Sequence, residues 1–259
     1  MDLGIAGKKA IVCASSRGLG KGCAWHLADA GCDVIVNGRN VEVTHATVEE
    51  IKNATGANVT AVIADVSTAE GQKSILEACP QPDILVNNNG GPPLRDFREL
   101  DRENIIEGLV QNMITPIELI KAVIDPMSDQ KFGRIVNITS LSVYTAVAGL
   151  DLSSGARAGL TSFLAGVARN YASANVTINQ ILPGKMDTDR LAGGFKKISD
   201  AQGISIDEAK QLESSKIPAG RLGNADEFGA LCAFLCSVHG GYITGRNILV
   251  DGGLNSSAF

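Results

Sequence analysis

The chain has 259 residues, 44% of them hydrophobic, enough to bury a large core, and α/β domains of this length commonly stay single, so one domain over 1–259 is expected. A formal net charge of -5 and a pI near 5.3, with no Lys/Arg-rich run, argue against a polyanion-binding surface and predict no nucleic-acid partner. The start, Met1-Asp2-Leu3-Gly4, lacks a positive n-region and an apolar h-region, and no stretch approaches about 18 uninterrupted apolar residues, which predicts a soluble, cytoplasmic protein with no membrane partner.

Short β-branched apolar runs alternate with longer amphipathic stretches along the chain, the pattern of βα units that build a parallel sheet. The first strand is expected at Ala10–Cys13. It leads into Cys13-Ala14-Ser15-Ser16-Arg17-Gly18-Leu19-Gly20 and a helix over Gly20–Ala30. Glycines in such a loop let backbone N–H groups approach a pyrophosphate, and the helix N-terminus supplies a favourable field for the anion. Ala14, Ser15, Ser16, Arg17, Gly18, Leu19 and Gly20 are therefore the expected phosphate-binding residues. The second strand, Val34–Asn37, runs into Gly38 and Arg39. No acidic residue stands there to hold a ribose 2'-hydroxyl, whereas Arg17 and Arg39 offer two cations for a 2'-phosphate. The cofactor expected is NADP(H); the competing reading leaves both arginines merely exposed.

A helix over Val41–Asn53 and a third strand at Val59–Ile63 follow. Next come a fourth strand at Ile84–Val86, a long helix over Arg102–Ile124 that Pro116 is expected to kink, and a fifth strand at Arg134–Thr139. A helix over Ser154–Ala172 precedes the sixth strand, Val176–Leu182, and one over Ala225–Ser237 precedes the seventh, Asn247–Val250. The segment Asp187–Lys216 is longer and more charged than a compact connection needs and reads as a lid or binding loop; a solvated helical excursion is the alternative. Its Leu191, Phe195, Ile198, Ile204 and Ile206 suggest a moderately apolar substrate with a polar end. Cys13, Cys23, Cys32, Cys79, Cys232 and Cys236 lack a Cys-x2-Cys pair and read as small buried hydrophobes, so no metal is expected. His26, His45 and His239 lie far from every motif and read as helix-surface or helix-end residues.

These residues, with those that follow, resemble the short-chain dehydrogenase/reductase family over essentially the whole chain. The family's loop is written Thr-Gly-x3-Gly-x-Gly; Cys13 and Ala14 stand at its first two positions, and Ala14 requires an ordinary backbone conformation there. Asp65 and Val66 match the family's adenine contact, and Asn87-Asn88-Asn89-Gly90 matches Asn-Asn-Ala-Gly with Asn89 in place of alanine. Asn112 falls where the family has a helix asparagine supporting a water relay, and Ser140 where its catalytic serine ends the fifth strand. Pro183, Gly184 and Thr188 match the segment beside the nicotinamide, and Val250-Asp251-Gly252-Gly253 matches the C-terminal signature. The resemblance implies an α/β, doubly wound Rossmann-type fold, a parallel sheet of seven strands with helices on both faces, assembled as a homo-oligomer, tetramer or dimer.

In the family a tyrosine lies some 13 residues after the serine and a lysine four further on, one helical turn apart on the cofactor-facing side. Here those counts fall on Ser153 and Arg157, and the following Ala158-Gly159-Leu160 stays in register with the family. Carbonyl reduction needs a hydride and a proton. Serine is a far weaker acid than tyrosine, whose pKa of about 10 neighbours can lower. Arg157, always protonated, can bond the nicotinamide ribose and stabilise an oxyanion, but it relays no proton. Three routes stay open: Ser153 donating through a water held by Arg157 and Asn112, Tyr144 swinging in from the loop after Ser140, or Lys185 supplying a cation or proton. The competing readings are a helix cap for Ser153, a solvated cation for Arg157, a pocket-wall aromatic for Tyr144 and an exposed lysine for Lys185.

The function implied is an NADPH-dependent oxidoreductase that reduces a small-molecule carbonyl or oxidises the alcohol, with a 3-oxoacyl thioester as substrate by resemblance alone. Two readings from other classes stand beside it: an NADP(H)-binding sensor or assembly protein without turnover, and a non-redox lyase or isomerase that polarises a carbonyl with serine and arginine.

Overall fold

The computed structural model describes residues 1–92 and 94–257. Seven strands, β1 (Lys9–Val12), β2 (Asp33–Gly38), β3 (Val59–Ile63), β4 (Ile84–Asn87), β5 (Gly133–Ile138), β6 (Val176–Pro183) and β7 (Asn247–Val250), form one sheet in the order β3-β2-β1-β4-β5-β6-β7. Every neighbouring pair is parallel. All residues of β4 and β5 are buried, which is why such strands read as continuous apolar runs rather than alternating ones. Alternation survives in what each face meets. Ala10, Val12, Val34, Val36 and Val86 enter one core, and Ile11, Ile35, Leu85, Ile135 and Ile178 enter the other.

Helices α1 (Gly18–Asp29), α2 (Val41–Thr55) and, near the C-terminus, Ala225–Cys236 cover the first core. The second is covered by α3 (Ala69–Ala78), a helix over Thr115–Asp129 and another over Asp151–Tyr171. The strand order reverses between β1 and β4, so their carboxyl ends part at the switch point where doubly wound sheets bind ligands. All six cysteines are buried in these cores, as their apolar flanks predict. Among the described residues no helix is long and apolar enough to cross a membrane.

Three features depart from the sequence reading. Helix α3, capped by Thr68, whose side chain accepts from the Gly71 N–H, was not among the expected elements. The expected helix Arg102–Ile124 is divided into α4 (Arg102–Leu109), a π turn (Val110–Ile114) and α5 (Thr115–Asp129). Pro116 has no N–H to give the carbonyl of Asn112, and in the π turn the Thr115 N–H reaches back to Val110 instead. The segment expected to be a lid is two helices, α7 (Asp189–Gln202) and α8 (Ile206–Ser215), the latter opened by a Ser205/Glu208 capping box. Their Phe195 and Ala209, with Ile217 and Leu222, form a small separate core against which Leu191, Ile198 and Ile204 pack. The apolar residues expected to face a substrate thus fill the lid itself, apart from exposed Ile206.

The last helices, α6 (Asp151–Tyr171) and α9 (Ala225–Cys236), matter for the site. A Cβ on Gly22 of α1 would strike the backbone of Ala225, and one on Gly229 of α9 would strike that of Gly22. The two helices therefore touch backbone to backbone.

Candidate active site

β1 delivers the chain to the glycine loop at the switch point. Ala14 adopts φ +43°, in the left-handed region, which corrects the ordinary conformation expected of it. Its neighbours impose this: the Ala14 N–H donates to Asn37 Oδ1 at 3.0 Å, and its carbonyl accepts from Asn88 Nδ2 at 3.0 Å. Left-handed backbone costs an L-residue about 1 kcal/mol or more. Ala14→Gly is therefore expected to stabilise the fold by about 1 kcal/mol in urea unfolding, and a lower midpoint would refute the strain.

Ser15 turns inward. Its N–H donates to the Asn37 carbonyl at 2.7 Å, and its Oγ donates to the Val12 carbonyl at 2.6 Å while accepting from the Asn37 N–H at 3.0 Å. Fully buried, its side chain fastens the loop to β2. Ser16 and Arg17 form the outer part of the loop, and Leu19 packs partly into the core. Arg17 is the N-cap of α1 but makes no side-chain cap, so the first-turn N–H groups are left for an anion. Gly18 enters the helix at φ +54°. A Cβ at Gly20 would lie 2.5 Å from the Ala14 carbonyl and 2.9 Å from Asn88 Nδ2, so this cradle closes only around glycine. These residues fit a dinucleotide pyrophosphate.

At the end of β2, Arg39 Nη1 stands 3.5 Å from Asp65 Oδ2, and Arg17 Nη1 stands 3.6 Å from Asp189 Oδ2. Both pairs are long and exposed and hold the arginines weakly. Asp65 also accepts from the Ser67 N–H at 2.9 Å, while the Val66 side chain packs into the second core. Asn89 Nδ2 donates to Ser67 Oγ at 2.9 Å and to the Gln111 carbonyl at 3.2 Å, tying the end of β4 to the π turn, and Gly90 beside it is exposed. Asn87 is buried and donates to Asn137 Oδ1 at 2.9 Å.

Ser140 follows the end of β5, and its Oγ accepts from the Ser142 N–H at 3.1 Å. Arg157 Nε donates to Ser153 Oγ at 3.2 Å, and Nη1 donates to the carbonyl of Ile138, two residues before Ser140, at 2.7 Å. These bonds gather Ser140, Ser153 and Arg157 at the carboxyl end of β5. Ser153 is 4% and Arg157 7% exposed. Since the N-cap of α6 is Leu150, Ser153 caps nothing, and Arg157 is no solvated cation. Burial pulls the Arg157 pKa down to about 10, with the charge of Arg190 adding to the effect. The guanidinium is still protonated at neutral pH.

Asn112 lies in the π turn, buried, donating to the Gly108 carbonyl at 3.3 Å, and its Oδ1 has no partner among the described residues. That leaves an acceptor suited to a water. Tyr144 is not brought to this cluster: it is exposed, and its hydroxyl accepts from Asn247 Nδ2 at 2.9 Å. Lys185 is ion-paired with Glu213. Pro183 ends β6, and the Gly184 N–H donates to the Val250 carbonyl at 2.9 Å. Thr188 faces the glycine loop, with Cγ2 3.6 Å from where a Gly18 Cβ would stand.

A cleft of about 360 Å³ opens between α1 and the lid, lined by Gly18, Lys21, Trp25, His26 and Thr188 among others. His26, read as a helix-surface residue, lies on the face of α1 that lines this cleft, 2.7 Å from Asp226 Oδ1. The sequence signal was its spacing of four from Gly22, on one face of α1. Sequence reasoning also missed Arg190, whose guanidinium lies against Gly91. Its signal was a cation in the first turn of a helix, where the dipole disfavours it.

The sequence matches the family described as Enoyl-(Acyl carrier protein) reductase over residues 13–255. It is 33% identical over 258 residues to the 3-oxoacyl-(acyl-carrier-protein) reductase FabG of Aquifex aeolicus, covering 98% of this chain and 100% of that protein. It is 30% identical over 251 residues to the NADPH-dependent reductase BacG of Bacillus subtilis, covering 95% and 97%. The structure of L-sorbose reductase from Gluconobacter frateurii, complexed with NADPH and L-sorbose, superposes with a TM-score of 0.94 at 26% identity, covering 99% of this chain and 100% of that one. With the glycine loop at the switch point of a seven-stranded parallel sheet, these similarities place the chain in the short-chain dehydrogenase/reductase family.

Proposed function

We propose that the protein is an NADPH-dependent reductase of a carbonyl group, or a dehydrogenase of the corresponding alcohol, in which Ser153 and Arg157 take the places of the family's tyrosine and lysine. The observation that carries this reading is the convergence of Ser140, Ser153 and Arg157 at the end of β5, beside a loop built for a pyrophosphate. Bound NADPH would supply the hydride. Ser140, whose acceptor capacity is engaged by the Ser142 N–H, keeps its O–H free to donate to the substrate oxygen. Ser153 likewise accepts from Arg157, so its O–H is free as well, and the adjacent cation favours charge developing on its oxygen. Arg157 holds Ser153 and stabilises the oxyanion; a water on Asn112 Oδ1 would return the proton. The reductases FabG and BacG among the relatives support the reaction class, and the 3-oxoacyl thioester is the substrate class proposed from the former. Exposed Ile105, Ile106 and Phe163 on α4 and α6 support assembly as a homo-oligomer.

The preference for NADPH rests on Arg17 and Arg39 and on the absence of an acid after β2. Fluorescence titration is expected to show NADPH binding about 10- to 100-fold tighter than NADH, the range of one or two charge-assisted contacts. The preference should fall about tenfold in Arg39→Ala. Equal affinities for the two coenzymes would sink the assignment. Tight NADPH binding with no turnover on any carbonyl would favour the sensor reading.

A further inference from the structure

A cavity of about 150 Å³ lies between the loop after β4, the helix α4 and the start of α6, lined by Arg95, Asn104, Glu107, Gln111 and Leu152 among others. Asn104, Glu107 and Gly108 are spaced to share one face of α4, and Gln111 extends that face into the π turn. Two walls of the cavity continue into the proposed reaction site. Gln111 lines the cavity, while the next residue, Asn112, is buried and donates to the carbonyl of Gly108, another lining residue, at 3.3 Å. Leu152 lines it as well, and the next residue, Ser153, bonds Arg157. A Cβ on Gly108 would lie 2.6 Å from Leu152 Cγ, so Leu152 rests directly on the α4 backbone and closes the floor.

The polar side chains of the cavity are paired so that each pair keeps one kind of capacity. Arg95 Nη1 donates to Asn104 Oδ1 at 2.9 Å, which leaves further N–H donors on both side chains. Gln111 Nε2 donates to Glu107 Oε1 at 3.0 Å, which leaves Gln111 Oε1 and Glu107 Oε2 as acceptors without partners among the described residues. A group that both donates and accepts satisfies the two pairs at once, and a hydroxyl is the smallest organic group that does so. Arg95 and Glu107 are the charged side chains of the lining and offset one another, so the cavity selects no charge. Pro92 and Leu152 offer apolar wall to the carbons that would carry the hydroxyls.

We propose that this cavity holds hydroxyl groups of the substrate, so that the protein acts on hydroxylated carbonyl compounds in preference to plain ketones. The inference rests on the reductase reading and names a feature of its substrate, whether or not that substrate is also a thioester.

The experiment compares erythrulose with butanone, ketones of the same chain length and carbonyl position, at saturating NADPH in the native protein and in Glu107→Ala, Glu107→Gln and Gln111→Leu. Hydroxyls also activate the carbonyl, but equally in every variant, so the readout is the change in the erythrulose-to-butanone ratio of kcat/KM. A merely structural fault lowers both ketones alike and leaves that ratio alone. One hydroxyl contact is worth about tenfold. Glu107→Ala and Gln111→Leu should therefore each lower the ratio about tenfold, and Glu107→Gln, which keeps an acceptor, should lower it less. A ratio unchanged in both Glu107→Ala and Gln111→Leu would leave the cavity to water and overturn the proposal. If neither ketone is reduced, calorimetric titration with erythritol in the presence of NADPH decides it. Erythritol binding that is weakened about tenfold in Glu107→Ala keeps the hydroxyl site while the reductase reading fails; binding that is equal in both proteins, or absent from both, removes the site.

Discussion

Arg157→Met is expected to lower kcat/KM for carbonyl reduction by about 10³-fold while leaving the melting temperature within a few degrees of the native value. The first number follows from removing a buried cation that bonds Ser153 at 3.2 Å and that we propose stabilises the reacting oxygen, since one oxyanion donor is typically worth about 10²–10³ in turnover. The second follows from two opposing terms. Methionine leaves the Ile138 carbonyl and Ser153 without their donor, at about 1–3 kcal/mol for a buried group. It also relieves the burial of a guanidinium that has no carboxylate partner, and replacing such a charge by an apolar side chain is often neutral or stabilising. Steady-state kinetics beside a thermal melt separates the terms. Unchanged turnover would remove Arg157 from the chemistry, and a large drop in melting temperature would make its role structural. The double change Ser153→Tyr with Arg157→Lys tests the same pair in the other direction: if the native site is limited by proton donation, turnover rises by about 10²-fold or more, whereas no gain means the serine-arginine pair works by its own route.

Gly22→Ala is expected to destabilise the fold by about 3 kcal/mol, the upper range for overpacking a close contact, and to lower the melting temperature by about 10 °C for a chain of this size. Gly22 faces the backbone of Ala225 where α1 crosses α9, and Gly229 faces Gly22 from the other side, so neither helix can yield without moving the other. Because the N-terminus of α1 carries the loop proposed to cradle the pyrophosphate, the same change should also weaken NADPH binding. Alanine at Gly56, which ends α2 at φ +71° with nothing within 4 Å of its Cβ, is a useful contrast: its penalty is one left-handed residue, about 1 kcal/mol, and should leave coenzyme affinity unchanged. Equal melting temperatures and affinities for native protein and Gly22→Ala would show that the α1–α9 contact is not a tight one.

How much was legible in the sequence differs by kind of residue. The strand runs could be read because parallel strands buried on both faces must be apolar throughout, and each observed strand lies within about one residue of its expected position at either end. Gly18 and Gly20 could be read because a phosphate loop needs backbone without side chains, whatever surrounds it. Ser153 and Arg157 were located by counting from Ser140, since helical spacing carries residues four apart to one face. What counting could not supply was their burial, which sets aside the helix-cap and solvated-cation readings and lies in the packing of α6 on β5.

The readings that changed depended on partners distant in the chain. Ala14 takes a left-handed conformation because Asn37 in β2 and Asn88 just past β4 hold its two peptides. The lid's apolar residues looked like a substrate surface until α7 and α8 folded onto each other, and hydrophobic residues bury against whatever apolar surface is nearest. His26 lines the cleft only because α1, α9 and the segment after β6 meet there. Local spacing and backbone requirements, which act within a few residues, were written in the sequence: the sheet, the glycine cradle and the candidate Ser-Arg pair. The tertiary structure decided which polar groups are desolvated, which charges lack partners and which side chains face the cleft, because burial and Coulomb interactions depend on distances between segments that the order of residues does not contain.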